Sequence, residues 1–356
     1  MQSTDRQLIR RRERAKKLVR MGKLTRQFPY VVMRNPLGAL KWIETVLLDR
    51  RASAYCYNYP FLLQIEVTNA CNLKCKMCPR ERELEKLGQK ASHMTFDTFK
   101  QIMDSWIGHL YQIYLFGRGE PLMAPDLPRM IHYCAQKGVP YITLNTNGTL
   151  LRGKMAQALA DSELDEIRIS IDGADEEGFK AVRGISLQQL KDNITDFRRI
   201  SDIPIHVTTT VSQYNWETVH RIPDLCAEIG VHTLRLLPSL PYVYVDMPES
   251  TLTPDQKKEF KTLVRELKAS CEQKKILFIS ASPRVQECKQ PFIMAFIDVE
   301  GNLTPCCLLE ITHMGNVLKD GFAKVWRGDQ MNRWRKLLLK HQFPKACLEL
   351  ECIRDW

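Results

Sequence analysis

The chain has 356 residues, of which 44% are hydrophobic and 26% charged, the composition of a folded protein with a sizeable core and room for one large domain plus a smaller one. No run approaches the ~18 apolar residues of a membrane-spanning helix, and Arg10-Arg11-Arg12 is followed by no apolar core or small-residue cleavage site, so the start does not read as a secretory signal. The formal charge of +11 is concentrated: residues 1–51 hold 14 Lys/Arg against 4 Asp/Glu, while the remaining 38 and 37 nearly cancel.

The basic segment comes first. Leu8 to Leu24 interleaves Arg and Lys with Leu8, Ile9, Leu18 and Val19 and reads as a helix with a narrow apolar face. A second amphipathic helix is expected over Leu37 to Leu48, opened by Asn35-Pro36. Residues 1–58 are therefore expected as a basic helical extension. One reading docks it on the following domain as a solvated helix face. Another places residues 1–51 in peripheral contact with an anionic membrane, because Trp42, Leu37, Leu40 and Leu47 suit an interfacial helix. No zinc finger or RNA-binding aromatic pattern accompanies the charge, so nucleic acid ranks last.

From residue 61, β-branched apolar runs alternate with helical stretches. The expected strands are Leu62–Thr68, Gln112–Phe116, Tyr141–Asn145, Glu166–Ile171, Ile205–Val211 and Thr233–Leu237. Helices are expected near Thr95–Ser105, Pro125–Lys137, Arg152–Asp161, Leu187–Ser201 and Thr218–Glu228. This rhythm predicts an α/β fold with a parallel sheet, and six strands are too few to close the usual eight-stranded barrel. An open partial barrel over residues 59–250 is the expectation. A linker helix follows within 251–275, capped by Thr253. Residues 276–356 read as a small α+β module with strands Ile276–Ser280 and Phe292–Val299 and a Glu300-Gly301-Asn302 turn.

Twelve cysteines at short spacings, with no export signal, point to metal ligation in a reducing cytoplasm. The first group is Cys71-Asn-Leu-Lys-Cys75-Lys-Met-Cys78, directly after the first strand. Three thiolates on one loop can hold three irons of a [4Fe–4S] cubane and leave the fourth iron open. A zinc knuckle or an ordinary cluster is the alternative. Zinc favours four ligands, and the next histidine is His93.

The context of this loop resembles the radical SAM superfamily from about residue 61 to residue 240. The resemblance rests on the cysteine loop, on Phe116-Gly117-Arg118-Gly119-Glu120-Pro121-Leu122 after the second strand, and on Asn145-Thr146-Asn147-Gly148 after the third. Ser170-Ile171-Asp172-Gly173 ends the fourth strand, Arg183-Gly184 follows, and Leu234-Arg235-Leu236 lies in the sixth. The resemblance implies a cluster on Cys71, Cys75 and Cys78 as the catalytic centre, with S-adenosylmethionine (SAM) chelating its open iron. It implies SAM contacts from Met77, Gly117, Gly119, Glu120, Asn145, Asn147, Ser170, Arg183 and Leu236. The glycines would let the backbone approach the methionine, Glu120 would accept from its ammonium group, and Ser170 and Arg183 would meet ribose and carboxylate. Met77 stands where the family often has an aromatic residue. A reductant such as flavodoxin or ferredoxin is implied as partner.

Five cysteines fall late: Cys288, Cys306, Cys307, Cys347 and Cys352. With Asp298-Val-Glu-Gly301-Asn302, Pro305-Cys306-Cys307, Met314-Gly315-Asn316-Val317 and Val325-Trp326, the segment resembles the Twitch module related to the SPASM domain. This implies a second, auxiliary [4Fe–4S] cluster on Cys288, Cys306, Cys347 and Cys352, with Cys307 the substitute if Cys347 is no ligand. A structural zinc is the alternative. Cys56, Cys134, Cys226 and Cys271 read as ordinary thiols.

The activity implied is reductive cleavage of SAM to a 5′-deoxyadenosyl radical. That radical would abstract hydrogen from an unactivated C–H bond of a small molecule (a sugar, cyclitol or lipid-like substrate), which is then oxidised or epimerised. The enzyme would be an oxidoreductase or isomerase. Modification of a ribosomally made peptide is the alternative within enzymes. A non-catalytic metal-binding or nucleic-acid-associated protein is the alternative outside them. The location expected is cytoplasmic, with membrane association as the second reading of the basic segment.

Overall fold

The computed structural model describes residues 56, 59–106, 110–242, 244–280, 288–309 and 312–351. The expected helices at Leu8–Leu24 and Leu37–Leu48, and the ligand Cys352, lie outside the described residues.

Strand β1 (Leu62–Ile65) opens the sheet, followed by α1 (Arg80–Leu87), α2 (Phe96–Ser105), β2 (Gln112–Tyr114), α3 (Leu127–Gln136), β3 (Tyr141–Thr146), α4 (Gly153–Ala160) and β4 (Glu166–Ser170). Next come α5 (Glu176–Arg183), α6 (Leu187–Ile200), β5 (Ile205–Val211), α7 (Ile222–Glu228), β6 (Thr233–Pro238), α8 (Pro254–Gln273) and β7 (Leu277–Ser280). The C-terminal part holds α9 (Gln290–Ile293), β8 (Met294–Ile297), β9 (Asn302–Thr304), β10 (Gly315–Asn316), α10 (Val317–Asp320), α11 (Phe322–Trp326), α12 (Asp329–Leu339) and α13 (Lys345–Glu349).

The strands form one sheet in the order β10-β9-β8-β1-β2-β3-β4-β5-β6-β7. Neighbours from β8 to β7 are parallel, and only the β8–β9 and β9–β10 pairs are antiparallel. This is the expected open barrel, but wider than six strands. β7 pairs with β6, and β8 pairs with β1, so both late strands join the main sheet. An edge strand such as β1 presents unpaired backbone groups, and β8 satisfies them.

Side-chain alternation gives the sheet two unlike faces. Leu63, Ile65, Ile113, Leu144, Ile167, Ile169, Val207, Leu234 and Leu236 are all fully buried and share one core with the helices. The opposite, concave face carries Gln64, Tyr114, Thr143, Arg168, His206, Thr208 and Arg235, brought level by the strand register. The polar face is the wall of the barrel lumen, and its C-terminal rim carries the sequence-singled loops.

Local signals explain the helices. Thr95 caps α2 by accepting from the Thr98 N–H, and Phe99, Ile102 and Met103 form its buried stripe. Thr253 and Gln256 form a reciprocal capping box on α8. The predicted helix Thr218–Glu228 is instead a 3-10 turn (Val219–Arg221) followed by α7, with Pro223 in the first turn; a ring without N–H starts a helix but cannot continue one. Helices α1 and α5 were not expected: Arg-Glu-Arg-Glu-Leu-Glu-Lys-Leu offers little apolar stripe to read. No described helix is long and apolar enough to cross a membrane.

Candidate active site

The cysteine loop is held from several sides. The Asn72 amide donates to Thr149 Oγ1 at 2.8 Å, and its carbonyl oxygen accepts from Asn147 Nδ2 at 3.0 Å. Asn147 is itself fixed, its Oδ1 accepting from the Thr149 N–H and hydroxyl. The Lys76 N–H donates to the Val182 carbonyl at 3.0 Å, tying the loop to the end of α5. The Cys78 N–H closes a turn on the Cys75 carbonyl at 3.0 Å. Met77 is buried, and its carbonyl accepts from the Tyr242 hydroxyl at 2.7 Å. As residues Cys71 and Cys75 are half-buried and Cys78 is exposed, while burial pushes the Cys78 thiol itself up to about 12. Burial raises the Cys71 thiol above its usual range, and the Leu73 N–H donated to it works the other way.

Arg183 stands beside these sulfurs. Its Nε donates to Asp172 Oδ2 at 2.6 Å, and its Nη1 lies 3.8 Å from Cys75 Sγ. Asp172 is fully buried, with Oδ1 accepting from the Thr210 N–H at 2.7 Å. Burial opposes the Arg183 charge, but Asp172 and then Cys75 outweigh it and hold the guanidinium above its ordinary range. A fixed cation at the loop is what a set of thiolates requires. Neither Asp172 nor Asn72 was singled out from sequence. Asp172 lies in the quoted Ser170–Gly173 motif and Asn72 inside the cysteine loop, but nothing in their residue types marks either as a brace.

The Gly117-Arg118-Gly119-Glu120 turn differs from its expectation. A Cβ on Gly119 would stand 2.4 Å from the Thr68 and Ala70 carbonyl oxygens, and one on Gly117 would stand 2.5 Å from Glu66 Cβ. The glycines are therefore needed for the turn to pack against Glu66 and the start of the cysteine loop. Glu120 is also already engaged. Oε1 accepts from the Leu122 N–H at 3.0 Å and the Thr146 hydroxyl at 2.6 Å, and Oε2 accepts from the Asn147 N–H at 2.7 Å. It braces the rim between β2 and β3, and any ligand ammonium would share an occupied carboxylate. Burial raises its pKa despite these donors. Beneath the turn, Glu66 and Arg118 form a buried pair, with Nη2–Oε2 at 2.8 Å and Nε–Oε1 at 2.9 Å, and Glu66 Oε2 also accepts from the Val299 N–H at 3.2 Å.

Two other sites lie on the lumen side of the rim. Asn145 and Ser170 meet there, with Nδ2–Oγ at 3.5 Å. Leu236 does not join them. Its side chain is fully buried in the apolar layer under the helices, because alternation on β6 turns Leu234 and Leu236 outward and Arg235 into the lumen. The side-chain contact expected from Leu236 is corrected accordingly.

The late cysteines gather around Cys306. Burial raises the Cys288 thiol, and Cys306 lies near enough to add to that rise. Cys306 and Cys307 share a hydrogen bond, which together with burial holds Cys306 well above the usual range. Cys306 also packs on a small cluster of Leu309, Cys347 and Leu350. Cys288, Cys306, Cys307 and Cys347 thus occupy one neighbourhood. Among the described residues no three His, Cys, Asp or Glu side chains converge as the ligands of one metal ion would; a cubane asks each thiolate for a different iron and needs no such convergence. Three sulfurs on one clamped loop, beside a fixed guanidinium, fit an iron–sulfur cluster.

Comparison with known proteins agrees. Residues 65–226 match the radical SAM superfamily model, and residues 288–352 match the model of an iron–sulfur cluster-binding domain, SPASM. The chain is 27% identical over 313 residues to the AdoMet-dependent heme synthase of Nitratidesulfovibrio vulgaris, covering 80% of this chain and 83% of that protein. Its fold is similar to that of Streptococcus suis SuiB bound to S-adenosylmethionine, with a TM-score of 0.65 at 16% identity, over 96% of this chain and 82% of that one. It is similar too to anSMEcpe with bound AdoMet, with a TM-score of 0.63 at 16% identity, over 83% of this chain and 90% of that one. The chain is a member of the radical SAM superfamily, a [4Fe–4S]- and SAM-dependent enzyme whose barrel is followed by an auxiliary iron–sulfur cluster domain of SPASM type.

Proposed function

We propose that this enzyme takes a hydrogen atom from an unactivated C–H bond of a small molecule seated in the barrel lumen, and that the substrate is then oxidised. When bound on Cys71, Cys75 and Cys78, the cluster supplies the electron that opens SAM to a 5′-deoxyadenosyl radical. The protein's own part is to hold and screen. Arg183, braced by Asp172, offsets thiolate charge beside Cys75. Asn72, Asn147 and Thr149 keep the loop on the rim of β3. Ser170 and Asn145 offer polar groups at the top of the lumen.

The observation that carries this reading is the position of the clamped loop at the C-terminal mouth of a barrel whose inner wall is polar. A lumen lined by Tyr114, Arg168, Thr208 and Arg235 suits a compact polar substrate. The grouping of Cys288, Cys306, Cys307 and Cys347 supports a second cluster able to accept the substrate's electron, which makes the net change an oxidation. An electron donor such as flavodoxin or ferredoxin and a cytoplasmic location belong to the same proposal. So does the division of the chain into a 1–58 extension, a 59–250 barrel, a 251–275 linker and a 276–356 cluster module. Peripheral membrane contact through residues 1–51 is a reading of their sequence alone. The test is anaerobic reconstitution with iron and sulfide, reduction, and assay of 5′-deoxyadenosine with and without candidate polyols and peptides. Stimulation by a polyol with two-electron oxidation of it supports the proposal. Stimulation by a peptide alone overturns the small-molecule reading.

A further inference from the structure

Among the described residues, the inner wall of the barrel holds an arginine, Arg235, with no hydrogen bond or ion pair. The side chains facing the lumen include Tyr114 and Glu166 on one rung of the register, Arg168 and His206 on the next, and Thr208 and Arg235 on the one above. Glu166 is fully committed. It pairs with Arg168, with Nε–Oε1 at 2.5 Å, accepts from the Tyr141 hydroxyl at 2.6 Å, and has His206 Nδ1 at 3.1 Å. Arg168 also stacks over the Tyr114 ring, 5.2 Å from its centroid. The Glu166–Arg168 pair therefore leaves the Arg235 charge unbalanced.

Arg235 is half-buried, and among the described residues it makes no hydrogen bond or ion pair. Burial, and the like charge of Arg168 beside it, pull its guanidinium below the ordinary range, and the Glu166 carboxylate offsets them only in part. Beside it in the strand register is Thr208, whose hydroxyl oxygen is buried without a partner. A half-buried guanidinium against a like charge and an orphaned buried hydroxyl are both costly, and the same ligand would relieve both. Ser170, at the rim, pairs in register with Thr208 on its other side, so Thr208 and Arg235 lie level with one of the expected SAM contacts and one and two strands away from it.

We infer that Arg235 and Thr208 form an anion subsite in the lumen that seats a carboxylate of the substrate. A guanidinium presents two parallel N–H donors to a two-oxygen acceptor, and the threonine hydroxyl adds a third bond. One unbalanced positive charge matches a monoanion better than a phosphate dianion, which would leave a buried negative excess. The inference rests on the proposed lumen site and narrows its substrate to a carboxylic acid.

Its test does not need the substrate. The full chain, reconstituted anaerobically, is titrated calorimetrically with propionate and, separately, with inorganic phosphate, with and without saturating SAM. Wild type should bind propionate, and SAM should leave that binding in place. Arg235→Gln should weaken it by about tenfold or more, Thr208→Val by several-fold, and Arg235→Lys should recover part of the loss, with circular dichroism showing that each variant is folded. Propionate binding undiminished in Arg235→Gln overturns the subsite. Tighter binding of phosphate than propionate overturns the carboxylate assignment, and displacement of propionate by SAM would mean that Arg235 serves SAM itself. Binding is read by heat, so a protein that binds propionate but makes no 5′-deoxyadenosine would sink the proposed function and leave the subsite standing.

Discussion

Two regions of this molecule present thiols of the same kind and hold them by different means. The loop of Cys71, Cys75 and Cys78 is pinned by polar contacts to three other parts of the rim: the Asn72 clasp to the β3 loop, the Lys76 bond to α5, and the Glu120 N–H donated to the Ala70 carbonyl at 2.7 Å. Cys306 and Cys347 instead share a small apolar cluster with Leu309 and Leu350, separate from the main core. The first set is positioned by the fold before any metal arrives. The second sits in a cluster with little apolar area of its own, so a bound metal would add more to its local stability.

The comparison breaks most visibly at Glu66, where the two regions meet. Glu66 is fully buried, pairs with Arg118 below the glycine turn, and accepts from Val299 at the end of β8. Glu66→Leu takes the two-bond carboxylate partner from the buried Arg118 guanidinium, which costs about 3–5 kcal/mol. Urea unfolding should show that loss for the barrel as a whole. A loss confined to the C-terminal module would contradict the shared role of Glu66.

A smaller effect concerns the lumen wall. Burial opposes the Glu166 charge, but Arg168, His206 and Tyr141 together hold its folded-state pKa well below the 4.5 of an ordinary glutamate. Its stabilising contribution is therefore complete above about pH 4.5 and is lost as pH falls through the folded value. Stability of wild type minus that of Glu166→Gln, measured by urea midpoints, should be constant near neutrality and shrink as pH drops below 4.5. A difference that grows on acidification would contradict the pairing.

Cys306→Ser separates the two regions directly. Limited proteolysis of the full reconstituted chain should cut near Leu309 and Leu350 several-fold faster than in wild type, with the barrel within twofold. Equal acceleration in both regions would show that the late module is pinned by the fold after all. Asn72→Ala, the mildest change, removes two side-chain bonds at the first loop. At about 1 kcal/mol each, it should slow cluster assembly, read by the visible absorbance of reconstituted protein, without lowering the global unfolding midpoint by more than that sum.

Much of this was legible in the residues. β5 spans Ile205–Val211 as its alternation demands, and the Thr253–Gln256 box that opens α8 is written in four residues. The cysteine spacing announced the cluster loop because few arrangements other than a metal site place three thiols so close. The clasp on Asn72 was not legible, since it joins residues 75 apart in sequence. The joining of β8 to β1 was hidden for the same reason: pairing partners in a parallel sheet leave no local signature. Leu236 was a different failure, because the alternation Leu234-Arg235-Leu236 already turned the leucines to one face and the arginine to the other. The glycine turn was placed correctly, and a packing reason for it came only with the structure, where Gly119 faces the Thr68 and Ala70 carbonyls.

The central claim is that the loop of Cys71, Cys75 and Cys78 holds the cluster that opens SAM, while the late cysteines hold another. Anaerobically reconstituted, reduced Cys75→Ala, assayed for 5′-deoxyadenosine and for iron against wild type, tests it most directly. The account predicts no 5′-deoxyadenosine from the variant, with iron falling from roughly eight to roughly four per chain. Wild-type yields of 5′-deoxyadenosine from Cys75→Ala would contradict it.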